Sequence, residues 1–178
     1  MIPLLSTSRL ALPLLLLLCI LQQGCSLIGQ NETESKSGLY VDAVLEFVVE
    51  YPIAWQKDRR LQYGRAEGEV RWTNPEHPEM LLIINSTLHK QQTTSFEQRL
   101  DTILKELGDL EVTSKELVRI ADGEAWHLTG NRSRTRVDIY MPMDAKRDYR
   151  VSLVTSLEHA EGYERIMQKV MESFHRLP

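Results

Sequence analysis

RTRVDIYMPMDAKRDYRVSLVTSL, residues 134–157, contains two apolar-alternating runs separated by a polar, proline-bearing segment. Val137, Ile139 and Met141 occupy every second position, so a strand would place them on one face. PMDAKRD, residues 142–148, has the composition of a turn, and YRVSLVTSL supplies a second strand. Two strands joined so closely pair antiparallel, since a parallel crossover needs a dozen or more connecting residues. The chain is therefore expected to be built on an antiparallel sheet.

Upstream, GDLEVTSKELVRIADGEAWHLTG reads as a connector followed by two strands meeting near Asp122-Gly123, a strong turn pair. Before that, Phe96, Leu100, Ile103, Leu104 and Leu107 recur at helical spacing. Ser95 and Gln98 have the spacing of a capping box, and Gly108 is a natural stop. GEVRWTNPEHPEM and MLLIINSTLHK give two more strands about a proline-rich turn. LYVDAVLEFVVEY alternates, with Leu39, Val41, Ala43, Leu45, Phe47 and Val49 expected on one face of a strand or hairpin. Pro52 can open a short helical turn that brings Ala54 and Trp55 over the sheet edge. Downstream, Tyr163, Ile166, Met167, Val170, Met171, Phe174 and Leu177 form a broad helical stripe, which is expected to cover the sheet.

The predicted order is strand or hairpin, short helix, two strands, helix, several antiparallel strands and a terminal helix. It defines an α+β fold in one domain over residues 39–178, with an antiparallel sheet packed against helices. No internal repeat at solenoid or propeller spacing is present.

The first 24 residues read as an export signal, with lipidation at Cys25 preferred over a conventional signal peptide or an uncleaved anchor. Arg9 precedes an apolar core from Leu10 to Leu21, shorter than the roughly twenty residues of a spanning helix. Gly24-Cys25-Ser26 resembles the end of a bacterial lipoprotein signal, where the cysteine becomes the lipidated first residue. Gln22 departs from that pattern, which has an apolar side chain three places before the cysteine. Several acyl chains on Cys25 would make a durable membrane anchor. Residues 25–38, rich in Gly, Ser, Asn, Thr and Glu, are expected to form a tether. Cys19 would leave with the signal, so a disulfide framework and a dithiol redox site are both excluded.

With 21 basic and 25 acidic residues, the chain lacks the basic footprint of a nucleic-acid module. HExxH, a glycine-rich phosphate loop and a GxSxG nucleophile turn are missing, and no cofactor is expected. His77 lies in NPEHPE, where Glu76 and Glu79 could join it around a metal; an ordinary solvated turn is the preferred reading.

Trp55 and Trp72 are candidates to line a ligand pocket or to pack between sheet and helix. Lys57, Arg59, Arg60 and Arg65 form one basic patch, and Arg132, Arg134 and Arg136 a second, with Arg134 and Arg136 on one strand face. These groups could meet an acidic protein surface, lipid headgroups or an anionic polymer.

FVVEYPIAW, GEVRWTNPE, the helix from Phe96, GEAWHLTG, RVDIYM, YRVSLVTS and the terminal YERIMQKVMESF together resemble the PsbP/Mog1-like superfamily, from Leu39 to Leu177. The resemblance implies an α/β/α sandwich that acts as a non-enzymatic scaffold, often by binding protein. The resulting expectation is a lipid-anchored envelope protein, on the outer membrane facing the periplasm, with a surface for an unidentified envelope partner. A small-ligand or anionic-polymer binding module is the competing reading, and a hydrolytic enzyme a weaker third.

Overall fold

The computed structural model describes residues 36–62, 64–88, 95–144 and 146–178. The export signal, Cys25 and most of the tether lie outside the described residues. Among the described residues two antiparallel sheets, two α-helices and a short 3-10 turn (Leu157–His159) make up the fold, an α+β arrangement with a helix on each face of the large sheet.

β1 (Ser37–Asp42) and β2 (Phe47–Pro52) form a hairpin, and β10 (His175–Arg176) completes this small sheet in the order β1-β2-β10. The large sheet contains β3 (Gln56–Leu61), β4 (Gly68–Thr73), β5 (Leu81–Leu88), β6 (Glu111–Ile120), β7 (Gly123–Arg132), β8 (Thr135–Pro142) and β9 (Arg147–Ser156). Its strand order is β3-β4-β5-β9-β8-β7-β6, antiparallel throughout. The two runs of residues 134–157 are thus the central pair β8 and β9.

α1 (Phe96–Glu106) opens with both halves of the expected capping box. Gln98 N–H donates to Ser95 Oγ at 3.3 Å, and Ser95 N–H to Gln98 Oε1 at 3.1 Å. Gly108, at φ +59, follows its end, in the left-handed conformation that glycine reaches without a Cβ penalty. Leu100 and Leu110 pack with Leu128, Val137, Ile139 and Met141 on one face of the large sheet. On the other face, Trp72, Leu82, Ile84, Val151 and Leu153 pack with Phe47, Val49 and the apolar stripe of α2 (Ala160–Ser173). No helix among the described residues is long and apolar enough to cross a membrane.

Three local expectations are corrected. Leu39 and Val41 are exposed, at 67% and 56%, while Phe47 and Val49 are fully buried. The chain reverses through Ala43–Glu46, so β1 turns Tyr40 and Asp42 inward instead. Asp42 Oδ1 builds that turn by accepting the Val44 and Leu45 N–H groups, both at 3.0 Å. Glu46 takes φ +58, and its carbonyl accepts from Leu177 N–H and the Tyr149 hydroxyl, each at 2.9 Å.

The segment after Pro52 is a tight turn followed by edge strand β3, where a short helical turn is expected from sequence. All six β3 residues are exposed, so no apolar alternation marks it; pairing with β4 imposes the strand. Helix α2 also stops earlier than its apolar stripe. Phe174 is extended and buried, and the next two residues pair with β2. Sheet hydrogen bonds hold this end where the sequence has no stop signal.

Candidate functional site

Antiparallel pairing places Glu116, His127 and Tyr140 side by side on β6, β7 and β8, with Thr129 and Asp138 one step along. These side chains share the α2 side of the large sheet, because residues two apart on a strand point the same way. His127 stacks on Tyr140 with ring centroids 4.1 Å apart and planes 14° from parallel. Its Nδ1 lies 3.2 Å from Glu116 Oε1 and its Nε2 3.3 Å from Asp138 Oδ1. A doubly protonated imidazolium can donate to both carboxylates, whereas a neutral ring can donate to one.

Asp138 is the hub. It accepts from Thr129 Oγ1 at 2.9 Å and from Arg136 Nε at 2.9 Å, and Arg136 also reaches Glu164 on α2 at 2.9 Å. Burial works to raise the Asp138 carboxyl, but hydrogen bonds from His127, Arg136 and Thr129 outweigh it and hold the group below its ordinary value. Burial pushes the Tyr140 phenol up, and the nearby Asp138 and Glu116 charges push the same way.

The site residues expected from sequence are dispersed. Trp72 is fully buried against Tyr40 and Tyr51, and Trp55 is 7% exposed and packs on Tyr163, so both fill the core and offer almost no surface to a ligand. Lys57 lies 4.4 Å over the Tyr40 ring, and Arg59 donates twice to Asp42. Arg60 pairs with Asp58 at 2.8 Å, and Arg65 approaches Glu67 at 3.7 Å. Arg132 pairs with Asp109 at 2.7 Å. Arg134 is exposed in the β7–β8 turn and so does not share a strand face with Arg136. Only Arg136 of the seven basic residues joins the His127 cluster. The others lean on carboxylates or an aromatic ring, or stand in a turn, which breaks the continuous cationic surface an anionic polymer would need.

His127, Glu116, Asp138 and Tyr140 were missed as a group. The available signal was register: the Ser133-Arg134 turn, with Ser133 at φ +53, sets β7 against β8 and hence His127 opposite Tyr140. A separate trio, His77, Glu79 and His159, has ligand atoms within 4.8 Å of one another and is the group that could hold a metal ion among the described residues. It takes in two of the three groups expected around NPEHPE and adds a histidine from far along the chain.

Neither a family model nor a curated protein matches the sequence. The layered antiparallel architecture does define a class, the PsbP/Mog1-like fold. The solution structure of cyanobacterial PsbP (CyanoP) from Synechocystis sp. PCC 6803 is similar at a TM-score of 0.58 and 14% identity, covering 85% of this chain and 96% of that one. A crystal structure from Bacteroides thetaiotaomicron VPI-5482 gives a TM-score of 0.47 at 12% identity, over 79% of this chain and 48% of that one. The likeness to CyanoP is one of fold.

Proposed function

We propose that this chain is a non-enzymatic, lipid-anchored protein of the bacterial cell envelope. Acyl chains on Cys25 would fasten it to the outer membrane facing the periplasm. The β6–β7–β8 end of its large sheet would then meet another envelope protein. The observation carrying this reading is the network centred on Asp138, where His127, Thr129 and Arg136 are held on adjacent strands and Arg136 continues to Glu164. α2 packs mainly on β2 and β9, and beyond it Glu116 stands exposed on edge strand β6, the side a partner would meet. Fixed charges flanking a stacked His-Tyr pair favour a complementary protein surface, because little side-chain entropy is lost when they dock.

The same network disfavours catalysis. A general base needs one ring nitrogen facing the reacting group, and each nitrogen of His127 faces a carboxylate instead. The anchor rests on the Gly24-Cys25 pattern of the sequence.

Photo-crosslinking residues installed in cells at Ser114 and Glu116, on one face of β6, with Lys57 as control, test the surface. A discrete protein adduct at the β6 positions and not at Lys57 is the expected result. Its absence from every envelope fraction, or an equal adduct at Lys57, would sink the reading. Intact mass of the membrane-extracted chain tests the anchor: acyl mass is expected on the native protein and not on Cys25→Ser.

A further inference from the structure

The β4–β5 turn and the start of α2 converge on two imidazoles and a carboxylate. The turn is held firmly. Asn74, buried, donates through Nδ2 to the Tyr163 hydroxyl at 3.3 Å and accepts from Glu76 N–H at 2.9 Å. Met80 N–H donates to the His77 carbonyl at 2.8 Å, and Asn74 N–H to the Met80 carbonyl at 3.1 Å. Because Tyr163 belongs to α2, these bonds fix the turn against the helix that follows His159.

His77 and His159 come within 4.5 Å, ring centroid to centroid, with planes inclined at 46°. Glu79 Oε1 lies 3.7 Å from His77 Nδ1 and 3.8 Å from His159 Nδ1. Those separations exceed hydrogen-bond length. One ligand atom from each residue lies within 4.8 Å of the other two, near the spacing of groups that share an ion, since donors about 2.0–2.1 Å from a tetrahedral zinc stand about 3.3 Å apart. Ser156 Oγ, 2.8 Å from His159 Nδ1, can accept that nitrogen's N–H and leave Nε2 as the ligating atom, as outer partners fix the tautomer of metal-bound imidazoles. All three side chains are partly exposed, so a cation can enter from solvent and complete its coordination with water. Two imidazoles with one carboxylate select a borderline cation over calcium or magnesium, which prefer all-oxygen sites.

We propose that His77, Glu79 and His159 form a binding site for one divalent cation of the zinc class, joining the β4–β5 turn to the start of α2. The test is titration of the tag-free full chain, held in detergent and stripped with chelator, with Zn²⁺ against a chromogenic competitor. One ion per chain should bind with a Kd below about 100 μM, and His77→Ala and His159→Ala should each weaken binding by at least about tenfold. His175→Ala should leave binding unchanged. On the unsubstituted chain, Zn²⁺ should shield His77 and His159 from diethylpyrocarbonate in peptide mass maps. That second measurement holds even if a substitution disturbs the helix start. Saturation absent up to that concentration, binding unaffected by both alanine variants, or equal labelling with and without Zn²⁺ would overturn the site.

Discussion

Asp42 and Arg59 tie the two sheets together: Arg59 Nε and Nη2, on β3 of the large sheet, donate to Asp42 on β1 of the small one at 2.6 and 2.8 Å. Asp42 is buried and also accepts from Tyr40 and from two turn amides. One carboxylate thus closes the β1–β2 turn and joins the layers.

That arrangement gives the fold an acid-sensitive component. Burial alone would raise the Asp42 carboxyl, but donors from Arg59, the Leu45 amide and Tyr40 outweigh it and lower its pKa to about 2. A depressed folded-state pKa adds stability above the unfolded value and loses it as pH falls through the folded one. From 3.8 to about 2, the contribution is about 2 kcal/mol at 1.36 kcal/mol per unit. Urea unfolding followed from pH 5 to pH 2 should show this loss in the native chain. Asp42→Asn should be less stable at pH 5 and should lack that part of the pH dependence.

Arg147 is fully buried, and its guanidinium donates to Glu46 at 2.8 Å, the Ala66 carbonyl at 2.6 Å, Ser86 at 3.1 Å and the Val44 carbonyl at 3.2 Å. Arg147→Met would strand these acceptors and should cost about 3 kcal/mol in chemical denaturation. Arg147→Lys should recover part of that loss only, because an ammonium cannot reproduce the planar fork.

Trp72 is wholly buried, and its indole Nε1 has no hydrogen-bond partner. Trp72→Phe removes an unpaired donor along with some volume, so its cost should be well below the roughly 3–5 kcal/mol of Trp72→Ala. Thermal unfolding of both variants checks the ranking; equal losses would mean that an aromatic ring at this site adds nothing over alanine.

Gly68 marks a close approach of strands. A Cβ there would stand 2.2 Å from the Arg60 carbonyl oxygen, a backbone atom that cannot swing aside. Gly68→Ala should therefore separate β3 from β4 and destabilise the chain by about 1–3 kcal/mol, with loss of amide exchange protection along β3.

In the His127 cluster, Asp138→Asn removes the charge that Arg136 and His127 meet. The Asp138 carboxyl is held below its ordinary value, so the stability it adds should be present near neutral pH and fade as acid protonates it. A double-mutant cycle with Arg136→Met should give a coupling of about 0.5–3 kcal/mol. Additive effects would place the two residues in separate energetic roles.

Local order was written in the chain wherever one segment satisfied itself. The capping box of Ser95 and Gln98, the Asp122-Gly123 turn and the alternation of Val137, Ile139 and Met141 each lie within a few residues, and each formed as its pattern required. Parity across the Ala43–Glu46 turn, the exposed strand β3 and the early end of α2 depended on distant partners. Burial or pairing against those partners outweighed the local apolar pattern. The sites divide in the same way. Sequence marked Trp55, Trp72 and the basic residues, whose chemistry is conspicuous one at a time. Strand register set His127 against Asp138, and the packing of α2 set His159 against His77, since hydrogen bonding and metal ligation depend on distances that only the folded chain fixes.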